Sequence, residues 1–215
     1  MIRVFVLLGL MFTVPLVRAE NLLVMGDSIS AGYGLEKLEQ GWVHLLADRV
    51  RPLGYTVTNA SISGDTTAGG LTRIDSLLDR LHPAIVLIEL GGNDGLRGLT
   101  PAQMADNLMA MVDKAQAAGA RVLLLGMQIP PNYGKRYAEM FQSVYGQVAG
   151  QKKIVLVPFL LEGVGGHAEM IQADGIHPNA SAQPVLLDQV MPYLTPMLGA
   201  GHTVKKPASR AVTGH

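Results

Sequence analysis

The chain has 215 residues, 48% hydrophobic and 16% charged, which excludes a disordered protein and suffices for one domain with a substantial core. The 17 basic and 17 acidic residues balance, so no charge excess points to nucleic acid or to an acidic solvating tail. Cysteine is absent, which excludes disulfides, a thiol nucleophile and thiolate metal sites.

The chain opens with the cation Arg3, followed by an apolar run over residues 4–16 and then Val17, Arg18 and Ala19. This is the layout of a secretory signal peptide (1–19) cut after Ala19, and it predicts a periplasmic or secreted protein. The run is shorter than the roughly 20 apolar residues of a spanning helix, so no stable membrane anchor is expected after cleavage.

Beyond it, short apolar runs alternate with helical stripes. Residues 22–25 are an apolar run before a glycine, and predict a first strand. Residues 42–50 carry Trp42, Val43, Leu45, Leu46 and Val50 at helical spacing, and 55–59 read as a second strand. Leu71, Ile74, Leu77, Leu78 and Leu81 form a helical stripe, and 85–90 a third strand stopped by Gly91 and Gly92. Thr100 and Pro101 open a helix with a capping hydroxyl and a first-turn proline, and Gly119 closes it. A fourth strand over 121–125, a helix over 137–148, a fifth strand over 154–157 and a last helix over 182–198 follow. Strands apolar on both faces, separated by helices, imply an α/β fold with a parallel sheet covered by helices on each side. The domain therefore spans 20–198, and polar, aperiodic residues 199–215 read as a disordered tail.

Ligands of such sheets bind at the carboxyl ends of the strands. After the first strand stand Gly26, Asp27, Ser28, Ile29 and Ser30; after the second, Asn59 to Asp65, including Gly64; after the third, Gly91, Gly92, Asn93 and Asp94. Before the last helix stand Asp174, Gly175, Ile176, His177 and Pro178. Together they hold the inventory of acyl transfer: a hydroxyl, a base, a carboxylate to orient the base, and donors for an oxyanion. Each also has a plainer reading. Ser28 suits a helix cap, Gly64 an ordinary turn, Asn93 an Asx turn, and His177 a surface loop. Asp94 reads as structural. Asp174 stands at a spacing from which a carboxylate reaches Nδ1 of His177 and fixes its tautomer. No G-x-S-x-G elbow, H-E-x-x-H, P-loop or G-x-G-x-x-G pattern is present. Asn59-Ala60-Ser61 and Asn179-Ala180-Ser181 match the glycosylation sequon, a pattern common by chance.

The four segments, in this order at strand ends, resemble the four blocks of the GDSL or SGNH hydrolase family, with block letters Ser28, Gly64, Asn93 and His177. Ile29 stands where the family name has leucine. The likeness extends over NASISGDTTAGGL, ELGGNDGLRGL and DGIHPNASAQP, and covers about residues 21–198. It implies a flavodoxin-like, three-layer α/β/α sandwich on a five-stranded parallel sheet. It further implies Ser28 as nucleophile, His177 as base and Asp174 as its partner, with an oxyanion hole of the Ser28 and Gly64 N–H groups and the Asn93 amide. Substrate contacts are expected from Gly95, Leu96, Leu99, Ile129 and Pro130. The implied activity is hydrolysis of acyl esters, thioesters and lysophospholipids by a monomer acting on small-molecule substrates without metal or cofactor. The alternatives are a carbohydrate or peptidoglycan O-deacetylase on the same fold, and a non-catalytic lipid binder.

Overall fold

The computed structural model describes residues 19–199. The segments read as a signal peptide and a tail lie outside it, apart from Ala19 and Gly199.

Five parallel strands form one sheet: β1 (Glu20–Gly26), β2 (Tyr55–Asn59), β3 (Ile85–Glu89), β4 (Arg121–Leu125) and β5 (Val155–Val157), in the order β2-β1-β3-β4-β5. All pairs are in parallel register, with Val24 beside Asn59 and Leu87, and Gly26 beside Glu89. The helices are α1 (Ser28–Ala31), α2 (Trp42–Val50), α3 (Thr67–Leu81), α4 (Gly92–Leu96), α5 (Pro101–Ala117), α6 (Lys135–Lys152) and α7 (Gln183–Leu194). Helix α2 packs with α7 and both touch the sheet, while α3, α5 and α6 pack against one another and touch it as a second group. This is the expected three-layer arrangement.

The central strands obey the burial reading: every residue of β3 is buried, as are Leu22, Leu23, Val24 and Met25 of β1. The edges depart from it. In β2 only Tyr55 is fully buried, and Val155 of β5 is exposed, because an edge strand has a neighbour on one side only. Helix α3 starts four residues before its apolar stripe, because Thr66 caps it through the Gly69 N–H. The last helix ends at Leu194, and Thr195–Met197 form a 3-10 turn with Pro196 inside.

The order places β1 between β2 and β3, so the chain leaves β1 and β3 toward opposite halves of the sheet. That is the switch point at which open α/β sheets leave a crevice beyond the strand ends. Ser28 follows β1 and Asn93 follows β3.

Candidate active site

Gly26 ends β1 in a place only glycine fits. A Cβ there would sit 2.6 Å from both Glu89 Oε2 and Ser30 Cβ. Asp27 then caps α1, its Oδ1 accepting from the Ile29 N–H at 3.0 Å. The capping role therefore falls to Asp27, and Ser28, the first residue of the turn, keeps its hydroxyl free. Ser28 Oγ lies 2.8 Å from His177 Nε2, across 149 residues of chain.

His177 is presented by a tight loop over 171–178. Ile171 and Pro178 form an antiparallel bridge, Gln172 N–H donates to His177 O at 2.8 Å, and Gly175 turns the chain with φ of 74°. Asp174 organises the loop. Its Oδ1 accepts from the N–H groups of Ile176 and His177 at 2.9 and 3.0 Å, and its Oδ2 lies 2.6 Å from His177 Nδ1. The backbone N–H donors of His177 and Ile176, then the imidazole, stabilise the carboxylate and hold its pKa down at about 2. Buried Gln183 at the start of α7 anchors the loop from behind. Its Nε2 donates to Pro178 O and Asn179 O at 3.3 and 3.2 Å, and its Oε1 accepts from the Trp42 N–H at 3.0 Å.

The oxyanion candidates Gly64 and Asn93 lie on the segments that follow β2 and β3. The Ala60 and Ile62 N–H groups donate to Val24 O and Gly26 O at 2.8 and 3.0 Å, which lays the loop after β2 alongside the Ser28 segment. Gly64 on that loop has φ of 80°, a conformation that favours glycine. Its carbonyl accepts from Arg97 Nη2 at 2.8 Å. Asn93 lies in the first turn of α4, and its Nδ2 donates to Asp27 Oδ2 at 3.1 Å. The neighbouring Asp94 is structural: it is buried and accepts from Thr67 N and Oγ1 at 2.9 and 2.5 Å, tying the start of α3 to α4.

Beneath the site lies a pair of buried acids, Asp27, which the sequence offered as a cap, and Glu89, which it gave no role. Glu89 is fully buried at the end of β3, and its Oε2 accepts from Ser30 Oγ at 2.7 Å and Asp27 N at 3.2 Å. Burial raises its pKa well above the ordinary range, and the neighbouring Asp27 raises it further. Asp27 is raised to about 6, chiefly by burial, against the opposing hydrogen bond from Ile29 and the field of His177. The signal was present: Glu89 is the one charged residue in the apolar run IVLIE.

The expected substrate residues separate by burial. Gly95 and Ile129 are buried and meet each other, since a Cβ on Gly95 would lie 2.6 Å from Ile129 Cγ2 and 2.7 Å from Phe141 Cε2. Leu96 is half-buried, while Leu99 and Pro130 are exposed. The connection after α4 is tethered by Tyr137 Oη, which donates to Leu99 O at 2.7 Å. Both sequon asparagines hold their own turns: Asn59 Oδ1 accepts from Ser61 N and Asn179 Oδ1 from Ser181 N. Among the described residues, no group of three His, Asp or Glu side chains is placed to hold a metal ion. No described helix is long and apolar enough to cross a membrane.

The family model described as GDSL-like lipase/acylhydrolase matches residues 24–183. The chain belongs to this family. Esterase TesA of Pseudomonas aeruginosa is 62% identical over 182 residues, covering 84% of this chain and 90% of that one. Thioesterase 1/protease 1/lysophospholipase L1 of Escherichia coli K12 is 43% identical over 180 residues, covering 84% of this chain and 86% of the relative. A crystal structure of TesA superposes with a TM-score of 0.81 at 61% identity, over 83% of this chain and all of that one. The protein is thus a hydrolase of the GDSL family, and its three-layer fold is the family's.

Proposed function

We propose that the protein hydrolyses esters and thioesters of acyl chains through a covalent acyl-Ser28 intermediate. One observation carries this reading: the unbroken line from Asp174 Oδ2 to His177 Nδ1 (2.6 Å) and from His177 Nε2 to Ser28 Oγ (2.8 Å). The names of the relatives, an esterase and a thioesterase/lysophospholipase, support the same reaction class.

In the first step Ser28 Oγ attacks the acyl carbonyl while His177 Nε2 takes its proton. Asp174 keeps the other proton on Nδ1 and stabilises the imidazolium. The carbonyl oxygen becomes an oxyanion between the N–H groups of Ser28 and Gly64 and the Asn93 amide. Each such donor is worth roughly 3 kcal/mol, by comparison with the one removed in subtilisin. His177 returns the proton to the leaving alcohol or thiol, and water then releases the acid by the same steps in reverse order. The acyl chain runs past Leu96, Leu99 and Pro130, with Gly95 and Ile129 forming the floor under that wall. Export to the periplasm or beyond follows from residues 1–19.

The test is hydrolysis of a chromogenic butyrate ester by purified Ser28→Ala protein, with its fold checked by circular dichroism. Turnover should vanish with the spectrum intact. Near-wild-type turnover would rule out Ser28 as nucleophile. The same assay run from acetyl to decanoyl esters separates this reading from an acetyl-specific deacetylase.

A further inference from the structure

The hydrogen bond between Ser28 Oγ and His177 Nε2 cannot hold the site together throughout the reaction, because it depends on the proton of Oγ. In the acyl-enzyme Oγ has become the ester oxygen, and His177 has passed that proton to the departing alcohol or thiol. Nε2 then faces Oγ with a lone pair, and no hydrogen lies between them. Its next task is to take a proton from the water that attacks the ester carbon, which requires an approach of about 2.6–3.2 Å. Another contact has to keep the loop over 171–178 against the turn that carries Ser28.

Among the described residues, one other hydrogen bond joins residues 28–34 to residues 171–178. Gln172 Nε2 donates to Tyr33 O at 2.7 Å, across 139 residues of chain. The Tyr33 end is tied to the nucleophile, since the Tyr33 N–H donates to Ser28 O at 3.1 Å. The Gln172 end is tied to the base. The same Nε2 donates to Pro178 O at 3.0 Å, the Gln172 N–H donates to His177 O at 2.8 Å, and the Gln172 carbonyl accepts from the Gly175 N–H at 3.0 Å. An amide NH2 has the two hydrogens that two carbonyls need. None of these atoms exchanges a proton in the reaction, so the bonds persist from one step to the next. Gln183, the other amide on this loop, reaches the first turn of α2 and not the turn of Ser28. The Gln172 amide is closely fitted: a Cβ on Gly34 would lie 2.0 Å from its Oε1.

We propose that Gln172 is a positioning residue for deacylation: its bonds to Tyr33 O and Pro178 O keep His177 over the ester of acyl-Ser28 while the Ser28–His177 hydrogen bond is absent. The inference rests on the reading of Ser28 and His177 as nucleophile and base. In deacylation the water oxygen bonds to the acyl carbon and its proton goes to Nε2. The bond from that carbon to Oγ then breaks, and Nε2 returns the proton to Oγ. During acylation the Ser28–His177 bond supplies its own alignment. Loss of the Gln172 donors should therefore slow deacylation more than acylation.

Gln172→Glu keeps the shape of the side chain and, ionised at about pH 8, loses both donors. Wild type and variant are mixed rapidly with a chromogenic butyrate ester. Chromophore release reports acylation, and mass spectrometry of acid-quenched samples follows the decay of acyl-Ser28. In the variant that decay should slow roughly tenfold or more, within the 10²-fold cost of a 1 Å misplacement. Acyl-Ser28 should accumulate and a chromophore burst should precede the steady state. Gly34→Ala presses on the same amide from the other side and should give the same slow decay, which decides the matter if Gln172→Glu fails to fold. Decay of acyl-Ser28 at the wild-type rate in the folded variants overturns the proposal. A loss shared equally by acylation and deacylation overturns it too, because that marks a general loosening of the site. A wild type that forms no acyl-Ser28 would instead overturn the reading of Ser28 on which the proposal stands.

Discussion

Replacing Asp27 by asparagine preserves shape but exchanges one of two acceptor oxygens for a donor. Both oxygens are in use: Oδ1 accepts from the Ile29 N–H at 3.0 Å and Oδ2 from Asn93 Nδ2 at 3.1 Å. If the new amide keeps its oxygen toward Ile29, its NH2 faces that of Asn93. Asn93 relieves the conflict by turning over, which presents its oxygen where the oxyanion forms. Loss of one such donor lowers kcat by about 10²–10³-fold, or roughly 3 kcal/mol. Stability moves the other way. The Asp27 carboxyl titrates at about 6 in the fold against 3.8 in an ordinary setting, chiefly because it is buried. Between those values the folded chain binds the proton and the unfolded chain does not, so wild-type stability rises as pH falls from about 6 toward 3.8. Above that window the fold carries the whole cost of a buried charge. Asp27→Asn removes the cost, so the variant should melt higher than wild type at pH 8 and lose that advantage toward pH 4. The assay is kcat on a chromogenic butyrate ester together with calorimetric Tm across this range. A kcat within threefold of wild type refutes Asp27 as the orienter of Asn93. A lower Tm at pH 8 refutes the account of its burial.

Asp174→Asn should leave the loop folded, because its oxygen still accepts from Ile176 and His177, while its NH2 forces the His177 proton onto Nε2. The expected loss is about 10⁴-fold in kcat with an unchanged amide NMR spectrum, by analogy with the same swap in trypsin. In the wild type, backbone donors hold Asp174 at about 2, below the ordinary 3.8. Its contribution to stability is therefore present above 3.8 and lost as pH falls through about 2, so the downfield Nδ1 proton resonance of His177 should persist at pH 4. Gly95→Ala drives a methyl to 2.6 Å from Ile129 and 2.7 Å from Phe141, and should cost about 1–3 kcal/mol in urea unfolding. Asp94→Ala leaves the Thr67 N–H and O–H without their acceptor in the core, although Oγ1 still accepts from Asn107 Nδ2, and should cost roughly 1–3 kcal/mol by the same measurement.

Much of this molecule was legible along the chain. The boundaries of α2, β2 and β4 agree with those read from the apolar runs and spacing along the chain. Thr100 caps α5 through the Gln103 N–H as its position before Pro101 implied. Local signals of this kind need no knowledge of distant residues. They said less about burial where a neighbour is missing, as at the edges β2 and β5, and less about structure where one turn stands alone. Helices α1 and α4 are too short for any hydrophobic period, and hold only because the ends of β1 and β3 deliver them.

Ser28 shows where the two kinds of information divide. Its residue type, the glycine before it and its place after an apolar run are properties of the sequence, and they allowed a cap as readily as a nucleophile. The choice between them depends on which atom meets its Oγ, and that atom belongs to His177, 149 residues away. Parallel strands bring such distant loops to one edge, where β1 and β3 part company. The same long-range closure set Asn93 against Asp27, Gln172 between Tyr33 and Pro178, and Glu89 against Asp27 and Ser30. Hydrogen bonds between segments so far apart leave no period in the chain, so its own pattern yields the elements, the family resemblance pairs Ser28 with His177 and Asp174, and the remaining partners required the fold.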